Sequence, residues 1–374
     1  MDDDPVALAR ELIAIDSVNP SLVPQAAGES AIASFCAAWL AARGFEVTIL
    51  ERTPGRPSVV GVFAGTGGGR SLMLNGHLDT VGVSHAAQLE PVERDGMLYG
   101  RGAFDTKGGI AALLVAAADA AGTLPGDLIV TLVADEEFGS AGTEEVLERY
   151  TADAAIVTEP SGLEITTAHR GFAWFEVEIT GLASHGSMPE LGIDAIAQAG
   201  RVMGALDVLR GELGALPRHP TLGHGTVRVA TINGGVDAAT VAPSCILTVE
   251  RRFLPGESPD HVEGQLRRAI AAVDGPATTT LTRLVARAAF EAPLGSPIVE
   301  TLRGEATAVL GHPAAMRGEP FWTDAPLIME AGIPCVVIGH ANHPTVTRHF
   351  GEIAAMIRGR GLQPVTLDDA FLKH

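Results

Sequence analysis

Basic charge is what this 374-residue chain has least of. Its 26 Lys and Arg stand against 45 Asp and Glu, a formal net charge of −19. Binding a nucleic acid needs clustered cations to neutralise phosphates, and no Lys/Arg stripe of that kind occurs. The same deficit argues against docking on an anionic membrane. Cysteine is scarce as well. Cys36, Cys245 and Cys335 are odd in number and far apart, which excludes a disulfide framework and a CxxC metal knuckle. Long apolar runs are missing: Ile110 to Ala118 is interrupted by Asp119, well short of the roughly 20 residues that span a bilayer. The opening Met1-Asp2-Asp3-Asp4 is acidic where a secretory signal is basic and then apolar. Apolar residues at 46% against charged residues at 19% exclude a disordered chain and supply material for buried cores. A prior of about 150 residues per domain gives two or three domains. These features lead to the expectation of a soluble, reduced, cytoplasmic protein.

The pattern of elements then sets the fold class. Pro5 after Asp4 opens a helix running to Ile15. Ile32, Phe35, Cys36, Trp39 and Leu40 form the stripe of a second helix, with Gly44 at its left-handed end. Strand-like runs follow at Glu46–Leu50, Ser58–Phe63, Ser71–Leu74 and Leu128–Ala134, with a small-residue helix at Gly108–Ala121. Thr66-Gly67-Gly68-Gly69 reads as a hairpin loop, since no Gly-Lys-Ser/Thr follows to make a phosphate cradle. Helices alternating with apolar strands indicate an α/β domain, a mixed sheet covered on both faces. Near residue 170 the texture changes. Phe175, Val177 and Ile179 alternate with Glu176 and Glu178, and Leu247 and Val249 alternate with Thr248, Glu250 and Arg252. Strands with one wet face belong to antiparallel sheets. A helix from about Asp194 to Leu213 lies between them, and Ser258-Pro259-Asp260 caps another that ends near Val273. The order strand, helix, strand, strand, helix, strand predicts an inserted α+β, ferredoxin-like module at 170–283, with the main domain formed by 1–169 and 284–374. Ser296-Pro297 begins a later helix ended by Gly311, and Pro334–Ile338 is a short apolar strand.

Acids and histidines gather at predicted strand ends, where α/β proteins place ligands. His77 and Asp79 are two apart on one strand end, so their side chains leave the same face, and Asp79 is placed to hold the second imidazole nitrogen of a metal-binding His77. A solvated turn is the plainer alternative. Asp105, in the Gly-rich run 100–109, precedes a helix and could be only its N-cap. Asp135-Glu136-Glu137 follows an apolar strand; buried unpaired these acids would be costly, so they face solvent or a cation. Neighbouring positions point to opposite sides, which suits one metal-binding carboxylate beside one base, or simply an acidic loop capping the helix Gly142–Arg149. Glu159 ends a further apolar strand, and His185 lies on a loop of the inserted module.

In this order the motifs resemble the co-catalytic di-zinc amidohydrolases that include aminoacylase, acetylornithine deacetylase, succinyl-diaminopimelate desuccinylase and carboxypeptidase G. The resemblance runs from about residue 5 to 339. It rests on Gly-His-Leu-Asp-Thr-Val (76–81), Gly-Arg-Gly-x-x-Asp-x-Lys-Gly-Gly (100–109), Asp-Glu-Glu-Phe-Gly-Ser-x-Gly (135–142) and Thr-Glu-Pro (158–160). Ser-His-Gly-Ser (184–187), Asn-Gly-Gly (233–235), Arg-Phe-Leu-Pro-Gly-Glu (252–257) and Trp-Thr-Asp-Ala (322–325) complete it. The resemblance implies two divalent ions, zinc or else cobalt or manganese, bridged by Asp105. His77 and Glu159 would complete one ion and Glu137 would bind the other. Asp79 would orient His77, Glu136 would be the general acid/base, and His185 would stabilise the tetrahedral oxyanion. It also implies a cis peptide bond at Asp105–Thr106 and a homodimer formed through the inserted lid/dimerisation module. Asn233 and Arg252 suit a substrate carboxylate, Arg252 by a bidentate fork; a turn Asn and an Arg252–Glu250 surface pair are the alternatives. The implied activity is hydrolysis of the amide bond of N-acyl amino acids or small peptides.

The resemblance breaks at the last ligand. Relatives supply a fifth ligand, a His, after a Gly-Pro-Gly turn; here Gly339 is followed by His340, His343 and His349 at other spacings, with His343 favoured because Pro344 keeps it in a loop. The final 35 or so residues are similar to the closing segment of polysaccharide deacetylases, with a helix over about 347–358. A glycan deacetylase would need its own Asp and His-x-x-x-His motif, which is absent. The rival expectation is a catalytically impaired zinc-binding or scaffold protein with an incomplete second metal site.

Overall fold

The structure is a computed structural model that describes residues 4–94 and 97–339. The chain divides into two compact units. The first is formed by residues up to Thr167 together with Ala292–Arg317 and the segment from Thr323 onward; the second is formed by Ala168–Glu291 and Gly318–Trp322. Among the described residues no helix is long and apolar enough to cross a membrane.

The first unit opens with α1 (Pro5–Ile13), whose N-cap Asp4 accepts a hydrogen bond from the Val6 amide, and α2 (Ser30–Ala41). Then follow β1 (Glu46–Leu50), β2 (Ser58–Phe63), β3 (Leu72–His77), the small pair β4 (Val92–Arg94) and β5 (Met97–Tyr99), and α3 (Lys107–Ala120). β6 (Leu128–Val133), α4 (Ala141–Leu147), β7 (Ala154–Val157) and the start of β8 (Ile165–His169) lead out of it. The main sheet runs β1-β2-β6-β3-β7 and continues through a later strand to β8. β3 is parallel to both β6 and β7, whereas β2 is antiparallel to β1 and β6. β6 is buried at every position, as expected for a strand covered on both faces. α3 packs so closely that a Cβ on Gly109 would lie 2.5 Å from Thr158 Oγ1. Only glycine permits that approach. One sequence reading is corrected here. The Thr66–Gly69 loop is not a hairpin, because β2 and β3 do not pair; they lie on either side of β6. The fully buried β6 needs cover from two neighbouring strands, and a local hairpin would leave it at an edge.

The second unit holds β9 (Gly171–Thr180), α5 (Ala195–Ala215), β10 (Thr226–Gly234), β11 (Ser244–Phe253), α6 (Pro259–Ala271), β12 (Thr278–Arg287) and β13 (Phe290–Glu291). Its antiparallel sheet has the order β10-β11-β9-β12, the ferredoxin-like arrangement. Phe175, Val177, Ile179, Leu247 and Val249 point into a core shared with Leu206, Leu209, Leu213, Val262 and Leu266 of the two helices. Each such side chain contributes roughly 1.5–3 kcal/mol of burial. Both helices start on side-chain caps: Asp194 accepts from the Ile196 and Ala197 amides, and Ser258 from the His261 amide. The chain then supplies α7 (Pro297–Leu310), ended by Gly311 at φ 72°, then β14 (Met316–Glu319), α8 (Ala325–Glu330) and β15 (Cys335–Val337). β15 lies parallel to β7 and so brings the last apolar strand into the first unit's sheet.

Candidate metal centre

Register puts the site at the carboxyl ends of central strands of the first unit's sheet. His77 pairs with Val133 and Asn75 with Val157, so the carboxyl ends of β3, β6 and β7 lie side by side. His77 ends the first strand, Asp135–Glu137 follow the second and Glu159 follows the third. Asp105 enters from the loop before α3, and the Asp105–Thr106 bond is cis. The helix N-cap is Thr106, not Asp105, which leaves the Asp105 carboxylate available. Nor do the acids of 135–137 cap α4, whose N-cap is Ser140 with no side-chain cap bond.

His77 Nε2 lies 2.9 Å from Asp105 Oδ1, 3.7 Å from Glu159 Oε1 and 4.0 Å from Glu136 Oε2. Two trios offer ligand atoms all within 4.8 Å of one another: His77, Asp105 and Glu137, and His77, Glu136 and Glu159. They share His77, where the resemblance implied sharing through Asp105. One imidazole nitrogen has a single lone pair, so a bridge between two ions falls to a carboxylate. His77 Nδ1 lies 2.9 Å from the Asp79 carbonyl oxygen, an obligate acceptor, so Nδ1 carries the proton. Burial works against a charged His77, but its Nε2 faces the carboxylates, which favour a proton there in the ion-free site and raise its pKa well above the usual value; a divalent ion would take that proton's place. Asp79 thus holds His77 mainly through its backbone, since its own Oδ1 is 3.7 Å from Nδ1. The Asp79 carboxylate instead accepts the Glu136 amide at 3.0 Å, the Glu137 amide at 3.1 Å and Asn19 Nδ2 at 2.7 Å.

The electrostatics show the cost of gathering these acids. Burial, then the charges of Glu159, Asp324 and Glu137, push Glu136 well above the usual carboxylate range, against the pull of His77. Glu159 is raised in the same way. Burial also pushes Glu137 up to about 7, with Asp105 and Asp79 adding to it. Burial works against ionisation of Asp79 too, but His77, Asn19 and the Glu136 amide outweigh it and hold this carboxyl low. Nitrogen and oxygen donors around concentrated negative charge fit a divalent ion of the zinc, cobalt or manganese type.

Sequence reading assigned no role to two residues here. Asp324, buried at the start of α8, receives Thr143 Oγ1 at 2.7 Å and is pushed up to about 6 by burial. Asn19 joins Asp79 to Asp135 through its amide. Asp324 had a signal in its Trp-Thr-Asp-Ala motif; Asn19 had none. The remaining expected residues belong to the second unit. His185 is exposed, with Nδ1 2.7 Å from Ser187 Oγ. Asn233 is exposed on β10 opposite Ile246. Arg252 forks onto Glu250 Oε1 at 2.9 and 3.1 Å, the pair named above as its alternative, and Arg228 reaches the other Glu250 oxygen at 2.7 Å. His340, His343, His349 and the helix expected over 347–358 lie outside the described residues.

Comparison with known proteins gives the family. The model of peptidase family M20/M25/M40 matches residues 73–357. An N-formyl-4-amino-5-aminomethyl-2-methylpyrimidine deformylase of Bacillus subtilis is 30% identical over 377 residues, covering 89% of this chain and 86% of the relative. An acetylornithine deacetylase of Myxococcus xanthus is 36% identical over 303 residues, 75% of each chain. A tripeptidase of Staphylococcus aureus superposes with a TM-score of 0.76 at 22% identity, covering 95% of this chain and 96% of that one. The chain belongs to peptidase family M20/M25/M40. It is a metallo-hydrolase of amide or peptide bonds.

Proposed function

We propose that the protein hydrolyses the amide bond of N-acyl amino acids or small peptides with two divalent metal ions, zinc foremost. The reading rests on one observation: His77, with its Nδ1 proton committed to a carbonyl, aims Nε2 at Asp105, Glu136 and Glu159. His77, Asp105, Glu137 and Glu159 would hold the ions. When bound, the ions lower the pKa of water and polarise the scissile carbonyl. Glu136, whose affinity for a proton is raised by burial, takes the water proton and delivers it to the leaving amine. Asp79 keeps His77 and the Glu136 amide in place. His185 is assigned to the developing oxyanion, and Asn233 with Arg252 to a substrate carboxylate, for which Arg252 would exchange Glu250. Removal of an N-acyl group is supported by the names of the deacetylase and deformylase relatives, and an acyl amino acid by that of the acetylornithine deacetylase. Dimerisation through the second unit is supported by the exposed strand β10, with Ile232 and the adjoining Val236 in solvent. Three free, buried cysteines accord with a cytoplasmic location.

The test is turnover of a panel of N-acyl amino acids and dipeptides with added zinc, cobalt or manganese, for the wild type and Glu136→Gln. The variant should lose about 10²–10⁴-fold in kcat, the worth of a positioned general base, while retaining its metal. Undiminished turnover removes Glu136 from its role. Fewer than one ion per chain with no turnover on any substrate supports the impaired scaffold.

A further inference from the structure

Beside the metal cluster, a chain of polar groups, buried except at the exposed Ser21 and the half-buried Arg56, runs through the first unit. Glu29, fully buried, receives the Arg56 guanidinium on both oxygens, Nε at 2.6 Å and Nη2 at 2.7 Å. The same Nη2 reaches Asp135 Oδ1 at 2.9 Å, and Nη1 donates to Ser21 Oγ at 2.9 Å. Asp135 Oδ1 also accepts from Ser21 Oγ at 3.1 Å and Asn19 Nδ2 at 3.2 Å. Asn19 joins this to Asp79, whose carboxylate holds the amides of Glu136 and Glu137.

Asp135 has a reason to need holding. Its φ is 70°, in the left-handed region that a non-glycine residue keeps only when its surroundings enforce it. Its carbonyl gathers the amides of Phe138 at 3.3 Å, Gly139 at 2.8 Å and Ser140 at 2.5 Å, so this one residue sets the turn that presents Glu136 and Glu137. Arg56 makes two charged contacts at once, with Glu29 and with Asp135, groups far apart in sequence. A planar fork can serve Glu29 and Asp135 together, which a lysine ammonium cannot reproduce.

We infer that Arg56, locked in place by Glu29, is a positioning residue that fixes Asp135 and so sets the backbone carrying Glu136 and Glu137. The inference rests on the proposed role of Glu136. It extends the functional unit to Glu29, Arg56, Asn19 and Ser21, none of which carries a motif of the resemblance.

The experiment compares wild type, Arg56→Met, Arg56→Lys and Glu29→Gln by steady-state kinetics and by amide hydrogen exchange without substrate. Arg56→Met should lower kcat by about tenfold or more, since misplacing a reacting group by an ångström can cost up to about a hundredfold, with KM changed less than threefold. Exchange should accelerate in 134–140 and 78–81 and stay unchanged in α3 and β9. Arg56→Lys should restore little, and Glu29→Gln should reproduce the same local exchange pattern at smaller size. A cavity of about 270 Å³ bordered by Ser21, Arg56 and Asp135 gives free guanidinium a route in. Millimolar guanidinium should therefore raise kcat of Arg56→Ala and leave Glu136→Gln inactive. Native kcat in Arg56→Met, or exchange that rises evenly over the first unit, overturns the inference. If Arg56→Met does not fold, Glu29→Gln decides by the same two readouts. An active Glu136→Gln alongside a loosened 134–140 segment in Arg56→Met would sink the general-base reading and leave this one standing. An inactive Glu136→Gln with a fully active Arg56→Met does the reverse.

Discussion

Glu137→Gln should make the metal-free protein more stable above neutral pH while impairing metal binding. Burial, with Asp105 and Asp79 nearby, pushes the Glu137 carboxyl up to about 7 from an ordinary 4.5. Between those values the folded chain binds more protons than the unfolded chain. Stability is therefore fully present below about pH 4.5 and is lost as pH rises to about 7. At 1.36 kcal/mol per pH unit the displacement corresponds to roughly 3 kcal/mol, and partial solvent access trims this to about 2–3 kcal/mol. Glutamine cannot ionise, so the variant escapes that loss. The assay is urea denaturation in chelator at about pH 5 and about pH 8 for both proteins. The wild type should lose about 2–3 kcal/mol more than the variant across that interval. With a saturating divalent ion the order should reverse, because the carboxylate gains its counter-charge and the variant lacks a ligand. Equal pH slopes in chelator, or a wild type that gains stability toward pH 8, would refute the argument that these acids are strained without a cation.

Two further outcomes follow from the second unit. Phe175→Ala, at a fully buried position in its core, should cost about 3–5 kcal/mol, read as a lower midpoint in urea; a loss under about 1 kcal/mol would mean the core collapses around the gap. His185→Ala should lower kcat by about 10²–10³-fold, the worth of an oxyanion donor, with metal content unchanged. Native turnover in that variant would remove His185 from the chemistry.

Most candidate ligands were legible because they follow an apolar strand that marks the place, and Asp105 because it lies in a Gly-rich run just before a helix. Leu128–Val133 followed by three acids, or Ile156–Val157 followed by Thr158-Glu159, announces a strand end without reference to the rest of the chain. Alternation at Phe175, Val177 and Ile179 exposed the antiparallel module for the same reason: period-two burial is a local property. Arg252 shows the limit of that reasoning. Sequence gave it two partners, a substrate carboxylate or Glu250, and only the paired register of β11 with β9 and β10 brings Trp174, Arg228 and Arg252 together on Glu250.

By itself, then, the sequence determined the residue chemistry, the two textures of sheet and the family. Tertiary structure decided that β6 separates β2 from β3, and that the Nδ1 of His77 is held by a backbone carbonyl. It also decided that Glu29, Arg56 and Asn19 stand behind Asp135. Strand order and buried polar networks join residues tens of positions apart. Such joins depend on which apolar surfaces find each other, and no local pattern records that.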